Sequence, residues 1–325
     1  MTAVYITIDT EYSAGMALRE GAACRAANFA GSIAGHSEKG DAGIFYQMDS
    51  FDRYGLKAVF FVDPMPALLW GTEAIADIVQ PIIKRGHDVQ LHLHTEWLAL
   101  AGEKNPLGDR QGHNIRDFSY DEQLFLLNLA RSLLMEAGAP SPIAFRAGNY
   151  GANDDTLRAL AQLGIRYDSS HCPGIAGGYC DISLSPAQRL PIEHCGIIEM
   201  PVASIAARGG RQRHAQITAL SAGEMLAAIR HARDEGLSSF SLVSHSFELM
   251  SRDRKHINHI LRRRFEHFCA GLAAMKGVSS ATYAANPPDL PRPDQTTPLL
   301  PHSPLRTAWR MGEQMLGNFL YRTKS

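Results

Sequence analysis

Short runs of β-branched and aromatic residues recur along this chain, and most of them end in a side chain that can do chemistry. Val4 to Asp9 (VYITID) ends in Asp9, with Glu11 just beyond. Gly86 to Glu96 carries His92 and His94, Ile143 to Arg146 is followed by Asn149 and Tyr150, Ile165 to Asp168 ends on Asp168, and Phe240 to His245 ends on His245. Ala58 to Val62, Ile197 to Met200 and Val278 to Tyr283 are plainer runs of the same kind. Runs this short and this apolar read as strands buried on both faces. Helical patterns separate them: Pro66 to Arg85, Ser119 to Ala137, Asn153 to Leu163, Ser221 to Glu235 and Asp253 to Met275. Ser119 with Glu122 three residues on fits a capping box, and Gly138 is a stop. Alternation of this kind predicts a parallel α/β fold, and reactive groups at the carboxyl ends of the strands predict a barrel with its site on that face. An open doubly wound sheet is the competitor, and no G-x-G-x-x-G follows the first strand.

The rest of the chain bounds the function. At 325 residues and a formal net charge of -1, there is no basic excess to neutralise phosphates, which argues against a nucleic-acid partner. The start of the chain enters a strand at once, without a basic region, an apolar core or a cleavage site. With five scattered cysteines, an odd number, this predicts reduced thiols and a cytoplasmic protein. Residues 13–46 are rich in Gly, Ala and polar residues and read as a long insertion over one end of the fold. Residues 1–285 are expected to form the barrel domain, and 286–325 a Pro-rich segment followed by an amphipathic helix over Leu305 to Tyr321. That helix would carry Arg306 and Arg310, with Arg322 at its end. Packing back on the domain is its simplest course; docking on an anionic membrane surface or a partner is the alternative.

The third strand is the most suggestive. Val89, Leu91 and Leu93 point one way in an extended chain, and Gln90, His92 and His94 the other. Two imidazoles on one face, with Glu96 following, suit a metal. Alone the pair decides nothing, because 14 histidines in 325 residues make one His-x-His roughly a chance event. Asp9 and Glu11 are also two apart, so both project to one side, about 7 Å apart along the strand. One could ligate a metal while the other handles a proton.

Taken in order, Thr7-Ile8-Asp9-Thr10-Glu11, Gly86 to His92, Phe145-Arg146-Ala147-Gly148-Asn149-Tyr150-Gly151, Tyr167-Asp168-Ser169-Ser170 and Leu242-Val243-Ser244-His245 resemble the polysaccharide deacetylases, the NodB-homology enzymes of carbohydrate esterase family 4. The resemblance covers about residues 1 to 285 and is nearest to divergent bacterial members associated with surface-polysaccharide synthesis. It implies a distorted (β/α)7 barrel, a divalent metal (commonly zinc) and hydrolysis of N-acetyl groups on an amino sugar, in a polysaccharide or its nucleotide- or lipid-linked precursor. By the same resemblance Asp9 is the general base, held by Arg146, and His245 is the catalytic acid. Asp168 would orient His245 or pair with Arg146. Glu11 and His92 are metal ligands, and the third is His94 or Glu96: the family's second histidine falls at Glu96, whereas an extended chain puts His94 beside His92. Asn149 and Tyr150 belong to the loop that would supply the oxyanion hole, Tyr150 lying one residue later than the family's tyrosine. Two rivals stand beside this reading: hydrolysis of a non-sugar amide on the same barrel, and a non-catalytic glycan-binding or regulatory protein, which the departures at Thr10, Glu96 and Tyr150 keep alive.

Overall fold

The first strand organises the molecule. In the computed structural model, which describes all residues except 176, 293–294, 296–297 and 322–325, β1 (Thr2–Thr10) is buried along nearly its whole length. A small hairpin of β2 (His36–Ser37) and β3 (Gly40–Asp41) comes next. The sheet continues with β4 (Val59–Val62), β5 (Asp88–Leu93), β6 (Ala144–Ala147) and β7 (Tyr167–Asp168). After these come β8 (Ile192–His194), β9 (Ile197–Glu199), a second small hairpin of β10 (Ser204–Ala206) and β11 (Gln212–His214), then β12 (Ser239–His245) and β13 (Val278–Ala281). The main sheet runs β12-β1-β4-β5-β6-β7-β9-β8, with β13 also on β1; every pairing is parallel except β8 with β9.

Alternation sorts the side chains. Tyr5, Val59, Phe61, Ala144, Tyr167, Met200, Ala281 and Tyr283 form one apolar cluster on the inner face, so the sheet has curled until that face meets itself. Val4, Ile6, Ile8, Phe60, Val62, Leu91 and Phe145 point outward into the larger core beneath the helices. β9 and β12 do not pair as strands. The chain between them closes the gap with single main-chain bonds, Ala203 N–H to Ser241 O at 2.9 Å and Val243 N–H to Ala215 O at 2.9 Å. Seven parallel strands running from β12 round to β9, with β13 an eighth beside β1, and this irregular closure make the predicted distorted (β/α)7 barrel.

The helices depart from expectation in three places. Residues 13–46 are not irregular. They hold α1 (Ala14–Glu20), α2 (Arg25–Asn28), a π-turn over Phe29–Ala34 and the start of α3 (Ile44–Arg53). These helices are short and rich in Ala and Gly, so periodicity could not reveal them; the buried Asn28 side chain ties them to Ser13 through both its oxygen and its amide. The helix expected over Pro66 to Arg85 is broken into α4 (Ala67–Trp70) and α5 (Glu73–Lys84) at Gly71, whose φ of 80° no other residue adopts cheaply. The remaining helices are α6 (Trp97–Ala101), α7 (Tyr120–Glu136), α8 (Asp154–Gln162), α9 (Ala222–Asp234), α10 (His259–Ala273) and α11 (Pro304–Leu320). α10 starts six residues later than predicted, at the cap Asn258, whose side chain accepts from the Ile260 and Leu261 N–H groups. α11 has Ser303 as cap and proline at its first position; Arg322 lies outside the described residues. Among the described residues no helix is long and apolar enough to cross a membrane.

Candidate active site

Asp9, at the end of β1, is the Cα partner of His245 on β12, and His92 on β5 is the Cα partner of Arg146 on β6. In-register parallel neighbours carry their side chains to the same face, so four chemically active groups are set around one mouth of the barrel by pairing alone.

Arg146 is fully buried and donates four hydrogen bonds. Nη1 donates to Asp9 Oδ1 at 2.7 Å and to Thr7 Oγ1 at 2.8 Å, Nε to Ser169 O at 3.0 Å, and Nη2 to Ser169 Oγ at 3.0 Å. Its guanidinium carbon lies 4.5 Å above the centre of the Phe61 ring. Burial opposes its charge, but Asp9 more than restores it. Thr7 and Ser169 had no expected role. Each stands at even spacing from an inward residue, Thr7 two before Asp9 and Ser169 two after Tyr167, and that spacing was the signal.

Glu11, His92 and His94 bring a carboxylate oxygen and two imidazole nitrogens within 4.8 Å of one another. Glu11 Oε2 faces His94 Nε2 at 2.5 Å and His92 Nε2 at 3.3 Å. The other nitrogen of each ring is engaged: His92 Nδ1 donates to Arg146 O at 2.7 Å, and His94 Nδ1 meets Glu96 Oε2 at 2.9 Å. Carboxylate and carbonyl partners behind imidazoles are the usual backing of metal-binding histidines, because they fix the tautomer that leaves Nε2 free. Glu96 therefore stands behind His94 rather than beside His92, and its second oxygen meets His113 Nδ1 at 3.2 Å. Burial disfavours charge on Glu11 and His94, yet their mutual attraction outweighs it, holding the carboxyl well below and the imidazole well above their usual ranges. One positive charge is thus already stabilised among these donors. A carboxylate and two backed imidazoles fit a divalent metal such as zinc.

Gly148 explains how His94 sits there. A Cβ on Gly148 would lie 2.7 Å from His94 Nδ1, so only glycine lets the Arg146–Gly151 loop pass over the ring. The next two residues, Asn149 and Tyr150, take left-handed conformations with φ of 56° and 58°. Paired non-glycine residues in this region are strained, and such strain gathers at functional sites. The Tyr150 side chain packs with Cys172, Val202 and Val243, while burial and the neighbouring Cys172 push its hydroxyl well above the usual range.

His245 is backed by Glu248. Its Nδ1 is 3.8 Å from Glu248 Oε1, and the buried carboxylate also accepts from Thr218 Oγ1 and Ser244 Oγ, each at 2.6 Å, and from Gln216 Nε2. Burial opposes charge on His245, but Glu248 above all, with Asp9 and Glu11, raises it to about 9.

Asp168 makes neither expected contact. It pairs in register with Phe145 and Glu199, on the outward face, while its neighbours Tyr167 and Ser169 face the barrel. There it accepts from the Ser170 N–H at 3.0 Å and Ser170 Oγ at 2.8 Å. Burial and the adjoining Asp168 raise the Glu199 carboxyl well above its usual range. The acid set against His245 is Glu248, which three residues of spacing beyond the strand end could have suggested.

Asp63 was also unforeseen. It follows β4 on the same face as Phe61, is fully buried, and has one oxygen accepting from the Met65 N–H at 3.1 Å and the other without a partner among the described residues. Burial raises it to about 6, against the pull of His94 and His92. The run Ala58 to Val62 carries its reactive residue one step past its end.

No family model and no curated protein matches the chain. Among solved structures it superposes on a protein from Mycobacterium smegmatis described as a polysaccharide deacetylase, with a TM-score of 0.56 and 17% identity over 90% of this chain and 94% of that one. It is more loosely similar to a family 4 carbohydrate esterase from Streptomyces lividans in complex with acetate (TM-score 0.44, 12% identity, 90% and 98% covered). A polysaccharide deacetylase from Bacillus cereus stands at a similar distance (TM-score 0.43, 12% identity, 91% and 99% covered). The chain therefore shares the fold of the polysaccharide deacetylase from Mycobacterium smegmatis.

Proposed function

We propose that this chain is a metal-dependent hydrolase that removes an N-acetyl group from an amino sugar, in a polysaccharide or its nucleotide- or lipid-linked precursor. The observation that carries the reading is the layout of proton acceptor and donor. Asp9 and His245 stand side by side on adjacent strands, each backed by a buried partner of opposite charge, with Glu11, His92 and His94 grouped at the same mouth.

Glu11, His92 and His94 would hold the metal, which when bound supplies a Lewis acid that acidifies water and polarises the amide carbonyl. Arg146 fixes Asp9 Oδ1, leaving the other oxygen to take a proton from the attacking water. Asn149 and Tyr150 turn through left-handed backbone in the loop that passes over His94. We assign the Tyr150 N–H to the developing oxyanion and Asn149 to the substrate rim. Glu248 holds His245 as imidazolium with Nδ1 turned away, so Nε2 protonates the departing amine.

The test is acetate release from a panel of N-acetylated sugar nucleotides and oligosaccharides by zinc-loaded protein. Release is expected, reduced about 10²- to 10⁴-fold in Asp9→Asn with the metal content unchanged. Metal-loaded protein that releases no acetate from any member of the panel would overturn the reading.

A further inference from the structure

The helix α11 is amphipathic, but it lies the wrong way round for a helix that merely packs on its own domain. Its polar side faces the protein. Arg310 Nε is 3.1 Å from Glu224 Oε2 with both side chains buried, and Glu313 Oε2 is 2.7 Å from Arg264 Nη2. Gln314 Nε2 donates to Thr218 O at 3.4 Å. Its apolar side faces out: Leu305, Trp309, Met315, Leu316, Phe319 and Leu320 are all exposed, Trp309 by 69% and Phe319 by 81%. Every charged residue described on the helix is turned inward or half-buried, so no charge interrupts this face. The two ion pairs lock the roll of the helix, and the face cannot be buried by rotation without stranding charges inside the protein.

We propose that this face docks on the surface of an anionic phospholipid bilayer. A 17-residue helix is about 26 Å long, enough to lie flat in the headgroup layer with Trp309 at the interface. The charge beside it agrees. On the neighbouring stretch from Ser251 to His267 the exposed charges are Arg252, Lys255 and Arg263 against Asp253, while Arg254 lies over the Phe247 ring, Arg262 over Tyr46, and Arg264 is paired internally. A second copy of this chain docking by the same face about a two-fold axis would bring that basic rim towards its own image, which a negative surface does not. The docked face also adjoins a groove of about 1080 Å³. Its walls include Phe319 and Tyr321 on one side and Arg252 and Arg254 on the other, and it reaches His245. Docking would therefore place the mouth of the candidate site beside the lipid surface.

The experiment is sedimentation of the full chain with vesicles of pure phosphatidylcholine and of phosphatidylcholine with 30 mol% phosphatidylglycerol, read alongside Trp309 fluorescence and without any turnover assay. Binding to the anionic vesicles is expected, with a blue shift, weaker at high salt and at least tenfold weaker to the neutral vesicles. Trp309→Ser with Leu316→Ser should lower that binding at least tenfold while the thermal midpoint stays unchanged; neither residue lines the groove. Failure to bind anionic vesicles would overturn the proposal, as would binding that the double variant leaves intact. So would a wild-type dimer, seen by sedimentation velocity, that the double variant converts to monomer. Because the readout is lipid binding, its failure leaves acetate release free to succeed, and the reverse.

Discussion

Replacing Glu248 by Gln keeps the shape behind His245 and removes its charge. Since Glu248 is the largest group raising His245 to about 9, the variant should let the imidazole fall back towards 6.5. The protonated form is the useful one, so activity is present below that value and lost above it. The alkaline limb of the kcat/KM profile, at or below about 9 in the wild type because a bound cation also repels the proton, should move down by about a unit or more. An unmoved limb would mean that another group is the acid. Gly148→Ala acts at a different point. Its Cβ would meet His94 at 2.7 Å, so the ring must move and zinc affinity should fall about 10- to 100-fold in a competition titration, with Asp9 and Arg146 untouched. At this scale the sequence was generous where a residue's role depends on alternation. His92 with Gln90, and Asp9 with Glu11, are legible from period two. Asp168 was misread because a motif match ignores parity: the same alternation that sends Tyr167 and Ser169 inward sends Asp168 out to Glu199.

Among the elements, α11 offers the sharpest stability test. Arg310→Ala leaves Glu224 buried without its cation, although the Ser221 N–H still donates to that carboxylate. A loss of about 3 kcal/mol is expected in urea unfolding, with earlier cleavage near the Ser303 cap in limited proteolysis. An Arg310→Ala protein as stable as the wild type would show that the pair does not hold the helix. The strands were readable because each is a dense apolar run bounded by turn residues. The helices of residues 14–53 were not, because Ala and Gly carry too little hydrophobic contrast to show a period and Asn28 fastens them by side-chain bonds that no pattern displays. The inverted mounting of α11 was equally hidden. Amphipathicity says that a helix has two faces; only Glu224 and Arg264, distant in sequence, decide which one goes in.

For the whole molecule, the outward pair Asp168–Glu199 should leave a mark on the pH dependence of stability. The folded state raises the Glu199 carboxyl, so its contribution is fully present below the unfolded value of 4.5 and declines as pH rises through the folded one. Glu199→Gln keeps an acceptor for the His171 N–H and cannot ionise, so its urea midpoint relative to wild type should be higher at pH 8 than at pH 4. A difference independent of pH would show that the pair does not titrate on unfolding. The barrel itself could be anticipated from the order of strands and helices. Its incomplete seam could not, because residues 200–217 bond to β12 through isolated main-chain contacts that leave no trace in composition. The register between Asp9 and His245 has one more effect. Strands slip only by whole residues, so a single deletion between Ser239 and Ser244 would turn His245 towards the helices and offer a serine in its stead. Length changes in the loops can retune what is admitted; one in β12 abolishes the chemistry outright. A scan of single-residue insertions along the chain should therefore report function as a two-valued map, with a sharp edge at the start of β12.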